Sequence, residues 1–199
     1  MLKQIQKPIR NSYRVQALAE LHRATLIFLI FLTVFSSSPL ISSQPALAEY
    51  EAKGLLLYNF AKFTTWPKSA FDSPHAPLII GVLGPNPFGE TLSQFHNKTV
   101  KGRPIEIRYF PSATTYTKSH VLFCNVPNPR ALQRIQAQLR LAEKHVLTVG
   151  DFNGFAASGG IIGLTFEGNR IALELNGEAS RQATLFLSPN LVRLAKAVK

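Results

Sequence analysis

The chain has 199 residues with 22 Lys/Arg against 11 Asp/Glu, a net charge of +11, 46% hydrophobic residues and one cysteine. That much apolar residue excludes a disordered polyelectrolyte, and a single thiol excludes an internal disulfide framework. The basic residues are scattered, with Lys98, Lys101 and Arg103 as the one tight group. No nucleic-acid partner is expected from such a pattern, and a basic surface of this kind suits acidic partners or anionic envelope polymers.

The first 48 residues have the layout of an export signal. Lys3, Lys7, Arg10, Arg14 and Arg23 form a basic start opposed only by Glu20, and Ala24 to Phe35 is uncharged and apolar. That run is short for a membrane span, which needs roughly 20 residues. A Ser/Pro-rich stretch follows, and Ala46, Leu47 and Ala48 place small residues where a signal peptidase cuts. Cleavage is expected after Ala48, with a single domain over 49–199 and a periplasmic location. The alternative is an uncleaved anchor extended through Leu40 and Ile41, against which Pro39 and the intervening serines argue. Five of the 22 basic residues and one of the 11 acids leave with the signal, so the remaining 151 residues carry 17 against 10, net +7. A chain of that length can bury a real core.

Beyond Ala48 the elements follow one another closely. Ala52, Leu55, Leu56, Asn59, Phe60 and Phe63 recur at helical spacing and predict a helix over 50–63, stopped by Trp66-Pro67. Leu78 to Leu83 is a continuous apolar run, as a strand covered on both faces would be. A short helix is expected over 87–95, and strands over 104–109 and 120–124. Asn128 and Pro129 suit the cap and first position of a helix reaching about Glu143, followed by a strand over 146–149. Ile161 to Phe166 and Arg170 to Leu175 flank a Glu-Gly-Asn turn and read as a hairpin. Asn176 would cap a helix to about Phe186, and Ser188-Pro189 a last helix with Leu191, Leu194, Ala195 and Val198 on one side. This order predicts an α/β fold, a three-layer αβα sandwich with a mostly parallel sheet plus a C-terminal antiparallel hairpin.

Catalytic patterns do not emerge. His75, His96, His120 and His145 show no metal-binding spacing, one cysteine cannot build a thiolate site, and no Gly-x-Ser-x-Gly elbow occurs around Ser158. No catalytic residue, metal or cofactor is expected, and the protein reads as a binding or regulatory module rather than an enzyme. Glu167 and Glu174 flank the hairpin and face solvent by pattern. In open α/β sheets ligands sit beyond the carboxyl ends of the strands. Here those ends are Gly84–Gly89 and Gly150–Gly154. Gly84–Gly89 lacks a phosphate-loop spacing, and its two prolines remove donors. Asp151 is the best polar candidate for a ligand contact, its other role being a cap on the next turn. Cys124, in an apolar run, reads as a buried small hydrophobe or as an intermolecular disulfide in a homodimer.

Four strings occur in order: YNFAKFTTWP at 58–67, HVLTVGD at 145–151, GGIIGLTF at 159–166, and RIALELN at 170–176 followed by an Ala/Arg-rich helix and LSPNLVRL. Together, over about Tyr50 to Lys196, they resemble the YfiR family of small periplasmic proteins. The resemblance implies a repressor that binds the periplasmic part of an inner-membrane diguanylate cyclase, with an outer-membrane lipoprotein able to sequester it. It also implies a compact domain that tends to homodimerise. A sensor kinase is the other membrane partner it allows. Matching contact positions are Phe155, Ile161, Gly163, Ile171 and Leu173, at least half of them expected in the core, with Arg181 and Arg193 added as polar contacts. The internal disulfides of the best-understood member have no counterpart here. The competing reading is a periplasmic small-molecule sensor or accessory protein with its pocket between Gly84–Gly89 and Gly150–Gly154.

Overall fold

The computed structural model describes residues 45–142, 144–167 and 170–198. The basic and apolar parts of the expected export signal lie outside them. Helix α1 (Pro45–Phe63) leads into β1 (Thr64–Thr65), β2 (Leu78–Leu83), β3 (Thr99–Val100), β4 (Arg103–Phe110) and β5 (Val121–Cys124). Then come α2 (Pro129–Ala142), β6 (Leu147–Gly150), β7 (Ile162–Glu167), β8 (Arg170–Asn176), α3 (Gly177–Gln182), β9 (Phe186–Leu187), α4 (Pro189–Leu194) and β10 (Ala195–Val198). Eight strands form one sheet in the order β10-β8-β7-β6-β5-β2-β4-β3. Pairing is parallel except at β3–β4 and the β7–β8 hairpin, so the expected mostly parallel sheet with a C-terminal antiparallel hairpin is what the chain builds. β1 and β9 form a separate antiparallel pair.

Alternation persists inside the all-apolar strands and sorts them between two cores. Ile80 and Val82 of β2, Val121 and Phe123 of β5, Leu147 and Val149 of β6, and Ile162 and Leu164 of β7 share the core under α1, with Leu57, Phe60 and Ala61. Leu83, Leu122 and Cys124 point the other way, under Leu132, Ile135 and Leu139 of α2. These are the helices on opposite faces that a buried parallel sheet requires.

The long helix forms as expected, but it turns a different stripe inward. Lys53, Gly54, Leu57, Phe60, Ala61 and Thr64 are buried, while Ala52, Leu55 and Phe63 are exposed. The spacing is helical for both stripes. Close packing decides between them, because Gly54 lies against Thr91 and Leu92 where a Cβ would meet their side chains at 3.1 and 3.3 Å. Three other segments differ from expectation. The 87–95 region is turns with a 3₁₀ stretch at Thr91–Phe95. α3 stops at Gln182, where Thr184 takes a positive φ of 58°. Ala195–Val198 is not helix: α4 ends at Leu194 and the chain extends to pair in parallel with β8, covering an otherwise open edge. The caps come from the expected side chains, Asn128 accepting from Ala131 N–H and Asn176 from Ala179 N–H.

His120 pins β2 to the segment after Trp66. It is 2% exposed; its Nδ1 accepts from Ile79 N–H at 3.0 Å, and its Nε2 lies 3.1 Å from the Ala70 carbonyl, which fixes the proton on Nε2. Phe71 stacks on the ring. Burial pushes its pKa down from 6.5 to about 4, with the Ala70 carbonyl and Asp72 pulling upward and Lys118 and Arg103 downward. The folded state therefore holds a neutral ring that the unfolded chain protonates below about pH 6.5. Stability from this site is present above pH 6.5 and is lost as pH falls toward 4, by about 3 kcal/mol in all. Urea unfolding across that window should show the loss. His120→Gln, which can still accept and donate, should remove this part of the pH slope even if its plateau is lower.

Candidate functional site

The crevice beyond the carboxyl ends of β2 and β6 is closed. Its first wall, residues 84–89, is tied up internally: Asn86 Oδ1 accepts from Phe88 N–H, Asn86 Nδ2 donates to Gly89 O, and Asn125 donates to Pro85 O. The N-terminal part of α1 lies across the opening. Tyr50 meets Phe88 edge-on at 5.5 Å, its hydroxyl donates to Asp151 Oδ2 at 3.0 Å, and Lys53 Nζ donates to the same oxygen at 2.6 Å. Lys53 also pairs with Glu49, and its side chain is 4% exposed. Burial, then the Asp151 carboxylate, pushes the Tyr50 hydroxyl up to about 12. Asp151 thus receives groups from a helix about 98 residues away in sequence, and no hydrogen bond of its side chain to the following turn is among those the structure shows.

The expected partner-facing residues separate by burial. Phe155, Ile161, Gly163 and Leu173 are buried. The Phe155 ring is slotted between Gly150 and Gly160: a Cβ on either would fall 2.2 or 2.0 Å from its ring atoms. Gly150 of the 145–151 string and Gly160 of the 159–166 string therefore serve this ring. Gly163 faces Glu174, whose side chain is partly buried with Oε2 shielded, not solvent-facing as its pattern implied. Ile171 is half-buried, and Phe166, paired across the hairpin from it, is 49% exposed. Arg181 is exposed and paired with Glu178 at 2.6 Å, and Arg193 reaches Asn190. The structure thus brings Phe166 and Ile171 together at the outer end of the hairpin, and sequence reasoning missed Phe166. The signal was present, since Phe166 shares the face of Ile162 and Leu164, but the pattern did not show that the hairpin runs on past its cover.

Cys124 is fully buried in a central strand, and burial pushes its thiol up to about 12. It fits the small-hydrophobe reading, and in this fold it is out of reach of a second chain. Trp66 of the first string donates from Nε1 to His145 O of the second at 3.0 Å, and His145 Nδ1 lies 3.1 Å from Ala183 O. Among the described residues no group of three His, Cys, Asp or Glu could hold a metal, and no helix is long and apolar enough to cross a membrane. A cleft of about 360 Å³ lies at the other end of the sheet, where β6 and β7 begin, between Leu139, Lys144, Thr148, Ile161 and Ala183.

No curated protein matches the chain. One solved structure, an ABC domain in complex with L-Trp from Streptococcus pneumonia, is 12% identical over 61% of this chain and 55% of that one, with a TM-score of 0.45. The chain spans about half the length of that protein, and so distant a likeness carries no argument. A family model described as YfiR/HmsC-like matches residues 50–196. That span runs from the tyrosine that closes the crevice into the final strand and takes in all four strings, and the chain belongs to the YfiR/HmsC-like family.

Proposed function

We propose that this protein is an exported, non-catalytic regulator that binds the external part of an inner-membrane signalling protein of the diguanylate cyclase type and holds it inactive, lowering cyclic-di-GMP. The observation that carries this reading is the family match over residues 50–196. Cleavage after Ala48 would remove the first turn of α1 and leave Tyr50 and Lys53 on Asp151, so the crevice would stay closed in the exported form. Repression by binding is a population shift. The regulator must prefer the inactive partner, and a swing from 1:99 to 99:1 needs a preference of about 10⁴-fold. Phe166 and Ile171 offer the apolar contact for it, and a sequestering lipoprotein would compete for the same face.

Crosslinking and capture from envelopes with the tagged protein tests this. A membrane protein with a cytoplasmic cyclase domain is expected in the captured material. Phe166→Asp and Ile171→Asp should reduce its recovery at least tenfold, and Phe166→Asp, on an exposed residue, should leave the melting temperature within a few degrees. Capture of no inner-membrane protein removes the mechanism. The competing reading, a small-molecule sensor, loses its expected crevice to α1, but the 360 Å³ cleft at the opposite end of the sheet gives it a place. Saturable stabilisation by a ligand that is lost in Thr148→Phe would favour it.

A further inference from the structure

A smaller cleft of about 170 Å³ opens between the segment after β1 and the β3–β4 turn, lined by Thr65, Trp66, Lys68, Phe71, Leu78, Lys101 and Arg103. Three cations line it and no carboxylate does, although the cleft walls are otherwise aromatic and aliphatic. None of the three is in a salt bridge among the described residues, so no described acid neutralises the cluster.

Two of the three are held in place by the backbone. Arg103 sits over Phe71, its guanidinium carbon 3.6 Å from the ring centroid, and its Nη1 donates to the Ser73 and Ala76 carbonyls, which leaves Nε and Nη2 without a bond among those the structure shows. Lys101 Nζ donates to Thr64 O at 2.7 Å and Thr65 Oγ1 at 2.9 Å, using two of its three protons. Both groups are thus oriented before any ligand arrives, which lowers the entropic cost of binding.

The position of Lys101 is an independent pointer. Val100 pairs with Arg103, so Lys101 and Gly102 form a two-residue turn, with φ of 52° and 77°. Such a turn favours Asn-Gly, and a long side chain in the left-handed region costs on the order of 1 kcal/mol. The lysine occupies a place that asparagine would fill with less strain. What it supplies there is an ammonium at the cleft, partly desolvated, with its pKa lowered by burial.

We propose that this cleft binds an anionic head group of the phosphate or carboxylate type carried on a small flat apolar body, the anion on Lys101, Arg103 and Lys68 and the body against Trp66 and the edge of Phe71, whose faces Arg103 and His120 cover. The volume admits one ring and not a drug-sized molecule, for which about 300 Å³ is the lower limit. The same head group can come from a dissolved molecule or from a membrane lipid. The proposal is independent of the membrane partner inferred above.

The protein as the cell processes it should be titrated with phenyl phosphate at fixed ionic strength, by calorimetry and by thermal unfolding, with benzyl alcohol as the neutral control. A parallel arm measures sedimentation with phosphatidylglycerol vesicles against phosphatidylcholine vesicles. Saturable binding in either arm, absent from its neutral control, is expected, and which arm responds identifies the source. Lys101→Asn, which suits the turn but gives up the bonds to Thr64 and Thr65, should raise Kd about tenfold or more while the unliganded protein stays folded with a melting temperature lower by no more than a few degrees. Lys68→Ala touches an exposed side chain with no bond to lose, and should raise Kd about threefold. Binding in neither arm overturns the proposal, as does binding that survives both substitutions unchanged.

Discussion

Gly160→Ala is expected to destabilise this domain by about 3 kcal/mol or more, at the top of the range for overpacking. The Cβ it adds would sit 2.0 Å from Phe155 Cε1, and the same change at Gly150 would put one 2.2 Å from Cε2. The ring cannot swing aside, because it is fully buried in the core under α2 and braced edge-on by Phe152 at 5.3 Å. Phe155→Ala should cost a comparable 3–5 kcal/mol through the cavity it leaves. The decisive measurement is the pair. With Phe155 gone, the added methyl of Gly160→Ala enters empty space, so the double variant should be clearly more stable in urea than the sum of the singles predicts. Additive losses, or a neutral Gly160→Ala, would mean that the slot is not what these glycines serve.

That slot shows where sequence reading succeeds and where it stops. The runs 78–83, 120–124 and 146–149 are legible as strands because burial on both faces leaves only apolar residues to choose from. The hairpin and the Asn128, Asn176 and Ser188 caps are legible because turn and cap chemistry is local. The strand order is not local, and neither is the choice of inward face on α1, where two apolar stripes compete and Gly54 against Leu92 decides. Phe155 is a contact residue by the family resemblance alone, and local spacing says nothing of its burial. Its actual partners are the backbones of two segments, which no spacing encodes. Ala195–Val198 carries a helical pattern too short to resist pairing with β8, since six residues of α4 supply little helix stability of their own. Asp151 stands out in the sequence as a carboxylate after a buried strand, and the partners it meets in the fold lie 98 or more residues earlier on α1, beyond the reach of local spacing. A lysine inside an otherwise apolar helix face was the signal that could have found them.

Lys53 and Asp151 carry the other large effect. Their side chains are 4% and 14% exposed, and removing one member leaves the other charged and nearly dry. Asp151→Ala should therefore cost about 3 kcal/mol, the low end for breaking a buried pair, because Glu49 still faces Lys53. Lys53→Ala should cost a similar amount, with only the Tyr50 hydroxyl left on Asp151. Replacing both, as Lys53→Met with Asp151→Leu, removes the charges together and should recover most of the loss, since well-packed apolar pairs often match buried ion pairs. The cycle also decides what Asp151 is for. If its role is to hold α1 across the crevice, the double variant keeps both its stability and its membrane partner, and Asp151→Asn loses stability before it loses capture. If Asp151 meets a ligand or partner directly, capture fails in Asp151→Asn and in the double variant at full stability, and the closed crevice seen here would be one state of an opening one.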